Sequence, residues 1–241
     1  MKVTGVIPAR LQSSRLPGKL LLSETGKPLI QHTWESASCA SILAGQNGDE
    51  PNLLIATDSL QIAATVTGFG ARVEMTGDHP SGTDRIAEVV RKYLPDSDII
   101  VNIQGDEPEI DPDSINKVAQ LLIDNPSADM ATLCAPITNP EILDDPSCVK
   151  AVCAADGRAL YFSRYPVPFM RDGDRDERLA EASPWKLHLG IYAYRRRFLL
   201  HLAEQPTSPL EELEKLEQLR ALELGATIQI AEVPHRSVGI D

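Results

Sequence analysis

The sequence has few aromatic residues, few cysteines and no long apolar run, and each shortage excludes a class of protein. Aromatic residues make up 5% of the 241 residues, so the core must be built from aliphatic side chains. None of the four cysteines stands in Cys-x-x-Cys spacing, which argues against a structural zinc site. No window approaches the ~18 apolar residues of a membrane span, and the strand-like start is too short for a signal peptide. We therefore expect a soluble, cytoplasmic protein with reduced cysteines.

Positive charge is also scarce overall, but it is concentrated at one place. The chain has 35 acidic and 23 basic residues, which gives a formal net charge of -12. A chain this acidic does not suit a general binder of nucleic acid or of anionic membranes. Arg10, Arg15 and Lys19 nevertheless lie within ten residues of one another. A small anionic substrate therefore remains compatible with the composition.

Strand-like and helix-like segments alternate through the first half of the chain. Short apolar segments predict strands at residues 3–7, 53–56, 99–103 and 130–135, and helical periodicity or capping predicts intervening helices, such as 83–93 and 114–123. This alternation predicts an α/β fold with a mostly parallel central sheet flanked by helices. A length of 241 residues suits one large α/β domain, so we expect residues 1–241 to form a single domain.

The second half of the chain has a different pattern. Asp156 and Gly157 separate two strand-like segments, which predicts a smaller hairpin-containing region. Residues 165–184 are rich in proline and charge and predict a loop, and residues 187–194 predict a further strand. Ser208 and the following Pro209 predict the start of a helix that continues to Leu224.

The strongest chemical signal follows the first predicted strand. Residues 7–19 read IPARLQSSRLPGK, so three cations alternate with proline and glycine. In an open α/β sheet, ligands bind outside the carboxyl ends of the strands, and a loop there offers backbone N–H groups to phosphate oxygens. The pattern is neither a Walker A loop nor a dinucleotide fingerprint. The loop is either a triphosphate site, with charge balanced by Arg10 and Lys19, or a solvated basic loop.

Three other places carry weaker signals. Ser81, Gly82 and Thr83 form a small-residue turn that could pair with a pyrimidine edge or simply cap a helix. Asp106 follows a buried strand, where its carboxylate suits Mg²⁺ bound together with substrate phosphates, although it could be an ordinary turn residue.

The third place is a strand-like segment that carries His188 and Tyr192. Residues four apart on a strand lie on the same face, so these two side chains should be neighbours.

Seven segments in this order resemble those of the CMP-Kdo synthetases, also called 3-deoxy-manno-octulosonate cytidylyltransferases. The segments are residues 7–19, 81–85, 101–108, 159–164, 188–192, 216–220 and 239–241. The resemblance implies a nucleotide-diphospho-sugar transferase fold, usually paired as a homodimer. It also implies that CMP passes from CTP to 3-deoxy-D-manno-octulosonate (Kdo), giving CMP-Kdo and pyrophosphate for lipopolysaccharide synthesis.

The resemblance also implies a role for particular residues. The implied catalytic residues are Arg10, Lys19 and Asp106. The implied nucleotide-binding residues are Pro8, Ala9, Arg10, Arg15, Lys19, Ser81, Gly82, Thr83, Arg85 and Gln104. The implied sugar-binding residues are Gln104, Arg164, His188, Tyr192, Glu217 and Gln218, with Arg164 expected on the Kdo carboxylate. Asp106 and Asp241 would hold Mg²⁺. The CTP-binding half would cover about residues 1–135, and the sugar-binding and dimerisation elements about residues 148–224.

Several alternatives stay open at this point. The closest are a CMP-sialic acid synthetase and a cytidylyltransferase for 8-amino-Kdo. The Arg-Leu-Pro-Gly-Lys end of the basic loop, together with His188 and Tyr192, favours Kdo over sialic acid. A hexose-1-phosphate nucleotidyltransferase would have a glycine-rich loop in place of Pro8-Ala9-Arg10. A nucleotide-binding module without catalysis is the alternative from another class, and the presence of Lys19 and Asp106 argues against it.

Overall fold

A computed structural model describes residues 1–12, 16–45 and 50–234. Within this part of the chain, nine strands form one sheet that joins both halves of the sequence. The strands are β1 (Val3–Ala9), β2 (Leu53–Thr57), β3 (Val73–Met75), β4 (Ile99–Asn102), β5 (Met130–Pro136), β6 (Lys150–Cys153), β7 (Ala159–Ser163), β8 (Lys186–Arg195) and β9 (Ile228–Glu232). The predicted single sheet with an added hairpin is confirmed, because β6 and β7 pair with each other and β6 also pairs with β8.

The main path of the sheet has the order β3-β2-β1-β4-β8-β5-β9. Neighbouring strands from β3 to β4 are parallel, and β5 and β9 are parallel. Strand β8 runs antiparallel to β4 and β5, which makes the sheet mixed but mostly parallel, as predicted. The carboxyl ends of β1 and β4 therefore lie at one edge, and the reversed β8 begins on that same side. This edge brings residues from three distant segments together.

The helices cover both faces of the sheet. They are α1 (Leu29–Ser38), α2 (Leu60–Gly68), α3 (Gly82–Tyr93), α4 (Pro112–Asp124), α5 (Pro140–Asp144), α6 (Arg175–Ala182), α7 (Arg196–Leu202), α8 (Pro209–Glu214) and α9 (Glu217–Glu223). Alternate residues of each central strand point to opposite faces, and both sets are buried. Ile7, Ile55 and Val101 pack with Ile30 of α1 and Val118 of α4. Val6, Leu54 and Ile100 pack with Ile86 of α3 and Leu199 of α7.

Two local expectations from the sequence are wrong, and one helix was not predicted. The predicted continuous helix from Pro209 to Leu224 is broken into α8 and α9, because Lys215 adopts a left-handed conformation with φ 53°. The stretch 165–184 is not all loop, since α6 occupies part of it, capped by the Asp174 side chain. Helix α7 follows β8 directly, without a side-chain cap that could have announced it. In each case tertiary packing or an unrecognised cap decides the local structure.

Among the described residues, no helix is both long enough and apolar enough to cross a membrane.

Candidate active site

Two adjoining cavities open at the carboxyl edge of the sheet. The smaller, which we call the basic cavity, has a volume of about 230 Å³. The larger, which we call the polar cavity, has a volume of about 500 Å³. Pro8, Gly82 and Gln104 line both cavities, so the two spaces meet at these residues. The basic cavity also contains Arg10, Lys19, His79, Ser81, Arg85 and Asp106. The polar cavity also contains Asn102, His188, Tyr192, Glu217 and Gln218.

A salt bridge between Lys19 and Asp106 lies in the basic cavity. The Lys19 Nζ donates to Asp106 Oδ2 at 2.7 Å, and the two side chains are 13% and 34% exposed. Gly18, with φ 69°, makes the left-handed turn that begins the short 3-10 segment of Lys19–Leu21. The Gly18 N–H donates to the carbonyl of Leu11, shortly after the end of β1, at 3.0 Å. The Lys19–Asp106 salt bridge places one positive and one negative charge where β1 and β4 end.

Arg85 lies in the wall of the basic cavity. Its guanidinium is buried and donates to Asp58 Oδ2 at 2.8 Å, to the Thr76 hydroxyl and to the Gly77 carbonyl at 3.3 Å. The structure thus places Arg85 in the cavity wall but commits its guanidinium to Asp58, which follows β2, and to the loop that precedes α3. Sequence reasoning missed Asp58 because it is one of 35 acidic residues with no distinguishing local pattern.

The start of α3 faces the meeting point of the cavities. The Ser81 hydroxyl accepts from the Asp84 N–H at 3.1 Å, as an N-cap does. The N–H groups of the first helical turn lack carbonyl partners within the helix and favour acceptors of negative charge. A Cβ at Gly82 would lie 3.3 Å from Pro8 Cγ, so glycine allows this turn to approach β1. Both readings of the turn, helix cap and ligand contact, are compatible with this geometry.

His188 and Tyr192 are neighbours, as the sequence predicts, although β8 is irregular between them. Their ring centroids lie 5.4 Å apart. The Thr132 hydroxyl donates its only proton to the Ile191 carbonyl at 2.7 Å, so it accepts from His188 Nε2 at 3.0 Å. This assigns the Nε2–H tautomer and leaves Nδ1 as the ring's acceptor. Burial lowers the pKa of His188 to about 3, so the ring is neutral at physiological pH.

Glu217 lies in the wall of the polar cavity. Its carboxylate accepts from the Thr83 hydroxyl and lies 3.4 Å from the Arg220 guanidinium. Burial raises the pKa of Glu217, while Thr83 and Arg220 oppose that shift. The next residue, Gln218, accepts from the Tyr192 hydroxyl at 3.2 Å. The break at Lys215, which ends α8, thus allows a separate helix to place Glu217 and Gln218 in the polar cavity.

Two buried polar atoms of the polar cavity have no hydrogen-bond partner within the described chain. They are Asn102 Oδ1, an acceptor, and Gln218 Nε2, a donor, and both residues are 4% exposed. A buried unpaired polar group costs roughly 1–3 kcal/mol, which a ligand with hydroxyl groups would recover. Asn102 ends β4 but was not among the residues chosen from the sequence. Its place in an otherwise apolar strand, IIVN, is the signal that could have identified it.

Arg164 does not lie in either cavity. Its guanidinium donates to the backbone carbonyls of Glu214 at 2.6 Å, Pro146 at 2.8 Å and Lys215 at 3.4 Å. It lines a third cavity instead, which lies beside β7. The expectation that Arg164 holds a sugar carboxylate is therefore not supported, because its donors are directed to the Pro146 carbonyl and to the backbone that joins α8 and α9.

Two predicted site residues, Arg15 and Asp241, lie outside the described residues. Among those that are described, no cluster of three or more His, Cys, Asp or Glu side chains could hold a metal ion. A metal at this edge would need oxygen ligands from substrate phosphates in addition to Asp106.

The neutral state of His188 predicts a pH-dependent stability. The unfolded imidazole binds a proton below pH ~6.5, whereas the folded ring does so only near pH 3, so stability is lost as the pH falls between these values. At pH 5 this loss amounts to about 2 kcal/mol. We expect His188→Gln to lose about that much less stability than the wild type between pH 7.5 and pH 5, as measured by urea unfolding. Equal losses in both proteins would contradict the assignment. The raised pKa of Glu217 makes stability increase as the pH falls. Glu217 is present in both proteins, so its contribution cancels in the comparison.

Comparison with known proteins identifies relatives of this chain. The family model described as cytidylyltransferase matches residues 4–228. The 3-deoxy-manno-octulosonate cytidylyltransferase of Rhodopirellula baltica is 49% identical, covering 100% of this chain and 94% of the relative. The enzyme of that name from Geobacter sulfurreducens is 44% identical, with coverage of 100% and 95%. A solved CMP:2-keto-3-deoxy-manno-octonic acid synthetase in complex with CTP is 41% identical, with a TM-score of 0.89 over 100% of this chain and 93% of that one. This chain therefore belongs to the cytidylyltransferase family, and within it to the 3-deoxy-manno-octulosonate cytidylyltransferases.

Proposed function

We propose that this enzyme transfers CMP from CTP to Kdo, giving CMP-Kdo and pyrophosphate for lipopolysaccharide synthesis in the cytoplasm. The observation that carries the proposal is the direct junction of a basic cavity with a polar cavity at Pro8, Gly82 and Gln104. A reaction that joins a nucleotide to a sugar needs two such spaces in contact. In this assignment, residues 1–135 contribute most of the nucleotide site and residues 148–224 most of the sugar site.

The basic cavity suits the triphosphate of CTP. Arg10 and Lys19 lie in its wall, and the first turn of α3 presents backbone N–H groups to the junction. Pro8, Ala9 and Ser81 complete the wall, and Thr83 lies at the junction. Phosphate oxygens are well matched by such fixed charges and amides. We assign this cavity to the phosphates and the turn at Ser81 to the pyrimidine.

The polar cavity suits a sugar with many hydroxyl groups. It offers an unpaired acceptor on Asn102, an unpaired donor on Gln218 and the acceptor Nδ1 of His188. Tyr192 and Glu217 add a hydroxyl and a carboxylate. Such a mixture binds neutral hydroxyls in defined orientations without itself carrying large charge. Gln104, which lines both cavities, would lie beside the reacting groups.

The donor set at Asp106 fits Mg²⁺, which binds one or two carboxylates together with substrate phosphates. Asp106 is partly exposed in the basic cavity, where phosphate oxygens would complete the coordination. Asp241 remains the proposed second carboxylate. When bound, Mg²⁺ supplies charge neutralisation at the phosphates and lowers the pKa of a coordinated hydroxyl.

The reaction requires positioning more than covalent chemistry from the protein. The anomeric hydroxyl oxygen of Kdo forms a bond to the α-phosphorus of CTP, and the bond from that phosphorus to the bridging oxygen breaks. The electron pair leaves with pyrophosphate, and the hydroxyl proton is released. Lys19 and Arg10 stabilise the charge that develops on the phosphates. Neutral His188 orients the sugar and takes no part in proton transfer.

The nucleotide half of this proposal is tested with a panel of triphosphates. Purified enzyme with Mg²⁺ and Kdo should release pyrophosphate with CTP at least about a hundredfold faster than with UTP, since the two bases differ in hydrogen-bonding pattern at the ring edge. The product should be identified as CMP-Kdo by mass. Equal rates with UTP would contradict the assignment of the pyrimidine to the turn at Ser81.

We also propose that the enzyme acts as a homodimer through the surface beside β7. Tyr165, Phe169 and Leu213 are 73%, 83% and 81% exposed and surround a cavity of about 660 Å³ that also contains Trp185. Contiguous exposed apolar groups of this kind are typical of interaction sites.

A charge on this surface should weaken the dimer. We expect Phe169→Glu to raise the dimer dissociation constant at least about a hundredfold, as measured by sedimentation equilibrium, because an apolar contact is lost and a charge is buried. Leu60→Glu is the matched control, since Leu60 is 78% exposed but lies on α2. A monomeric wild type, or an unaffected Phe169→Glu dimer, would contradict this interface.

A further inference from the structure

We propose that His79 is an additional phosphate-binding residue of the nucleotide site and that Glu88 is its positioning residue. The inference rests on the proposed use of the basic cavity for the triphosphate. His79 lines this cavity together with Arg10, Lys19 and Ser81. It was not chosen from the sequence, because the short segment around it has no recognised phosphate-binding pattern.

The imidazole of His79 is held in place by a carboxylate. His79 Nε2 is hydrogen-bonded to Glu88 Oε2, and the two side chains are 23% and 15% exposed. Glu88 also accepts from the Gly77 N–H at 3.0 Å and from Lys92 Nζ at 2.5 Å. Hydrogen bonds from Lys92 and His79 lower the pKa of Glu88 to about 2, so its carboxylate is ionised and accepts a hydrogen bond from the Nε2–H group of His79.

The backbone that carries His79 is fixed on α3 from two sides. Arg85 donates to the Thr76 hydroxyl and to the Gly77 carbonyl, while Glu88 receives the Gly77 N–H. Arg85 and Glu88 are one helical turn apart on α3. The segment before the cap at Ser81 is therefore docked on the helix at adjacent turns. A side chain presented by such a segment has lost its freedom before the ligand arrives, which reduces the entropy cost of binding.

This arrangement gives the ring a defined chemical use. A ring bound to both the Glu88 carboxylate and a phosphate donates its Nε2–H to the former and its Nδ1–H to the latter. A carboxylate that orients a histidine is a recurrent arrangement at sites where the second ring nitrogen binds a ligand. His79 lines the same cavity as Ser81 and Gly82 at the start of α3, where N–H groups already favour negative charge. His79 thus adds a hydrogen bond to the phosphate site.

The test compares phosphate binding with sugar binding. We expect His79→Ala to raise the KM for CTP and the inhibition constant of pyrophosphate about tenfold, with the KM for Kdo changed less than about twofold. Glu88→Gln keeps an acceptor but removes the charge, and it should weaken pyrophosphate inhibition in the same direction by a smaller factor. Lys92→Met is the matched control, because Lys92 binds the same carboxylate from the solvent side and is 55% exposed. Its constants should stay within about twofold of the wild type.

The outcomes separate this proposal from a structural role and from the proposed function. Unfolding curves and circular dichroism establish that each variant is folded. A folded His79→Ala enzyme with unchanged pyrophosphate inhibition overturns the proposal, as does an equal rise in the KM values for CTP and Kdo. Calorimetric binding of tripolyphosphate to the wild type and to His79→Ala gives the same comparison without any sugar. Failure of the wild type to use Kdo would therefore be recognised separately.

Discussion

Replacing Asp106 by asparagine is expected to lower kcat about 10²- to 10³-fold and to raise the Mg²⁺ concentration needed for half-maximal activity. Asparagine keeps the size of the side chain and an oxygen acceptor, but it loses the charge that suits a hard cation. Asp106 lies at the carboxyl end of the β4 segment and accepts from Lys19 at 2.7 Å. The change therefore removes the proposed metal ligand and the carboxylate that accepts from Lys19.

Asp98, at the other end of β4, provides a control that tests whether the position of the lost charge matters. Asp98 precedes β4 at the opposite edge of the sheet, where it is exposed and accepts from the Lys2 N–H at 2.7 Å. Asp98→Asn removes the same charge from the protein but should keep kcat within about twofold, because an exposed charge this far from the reacting atoms is screened. An Asp106→Asn enzyme with near wild-type kcat and Mg²⁺ dependence would contradict the assigned metal role.

Replacing Lys19 by methionine is expected to lower kcat by a similarly large factor, but for a different physical reason. We expect kcat to fall about 10²- to 10³-fold, because the ammonium is placed to stabilise charge that develops on the phosphates. The Mg²⁺ requirement should not rise, since Asp106 keeps its charge and loses a competing cation. Steady-state kinetics at several Mg²⁺ concentrations therefore distinguish the two variants of one salt bridge.

Lys27 offers a matched control for Lys19. It is 48% exposed and binds Glu35 at 2.8 Å on the surface. Exposed pairs of this kind contribute roughly 0–1 kcal/mol to stability, so Lys27→Met should remain active and folded. A Lys19→Met enzyme that keeps more than about a tenth of the wild-type kcat would show that the ammonium is not needed for the chemical step.

Much of the fold could be predicted from the sequence because strong local signals agree with the tertiary structure. The run IIVN of β4 is buried on both faces, and the turn at residues 81–83 opens α3 as expected, although Ser81 rather than Thr83 is the cap. The meeting of Lys19 and Asp106 could be anticipated, since both follow strands that end at one edge of a parallel sheet. Family resemblance then supplied which ligands these residues would bind, which no local pattern contains.

The sequence does not predict the structure where contacts between distant segments determine the end of a helix or the position of a side chain. The capping box at Ser208 and Glu211 predicts where α8 begins, but nothing local announces its end at a left-handed Lys215. Arg164 donates to carbonyls fifty residues away in sequence, so its commitment to the backbone is not visible locally. Asn102 reaches the polar cavity through the pairing of β4 with β8, and Thr132 reaches His188 through the pairing of β5 with β8, both long-range antiparallel contacts. Non-local pairing of this kind leaves no periodic signal.

The most direct test of the account measures pyrophosphate release with CTP, Mg²⁺ and a panel of sugars: Kdo, 8-amino-Kdo, N-acetylneuraminate and glucose 1-phosphate. We predict release with Kdo, background rates with N-acetylneuraminate and glucose 1-phosphate, and loss of the Kdo signal in Asp106→Asn. Turnover with 8-amino-Kdo in place of Kdo would keep the fold, the nucleotide site and the reaction type but contradict the assigned sugar. Binding of CTP without release for any sugar would contradict the account of this site as a cytidylyltransferase centre.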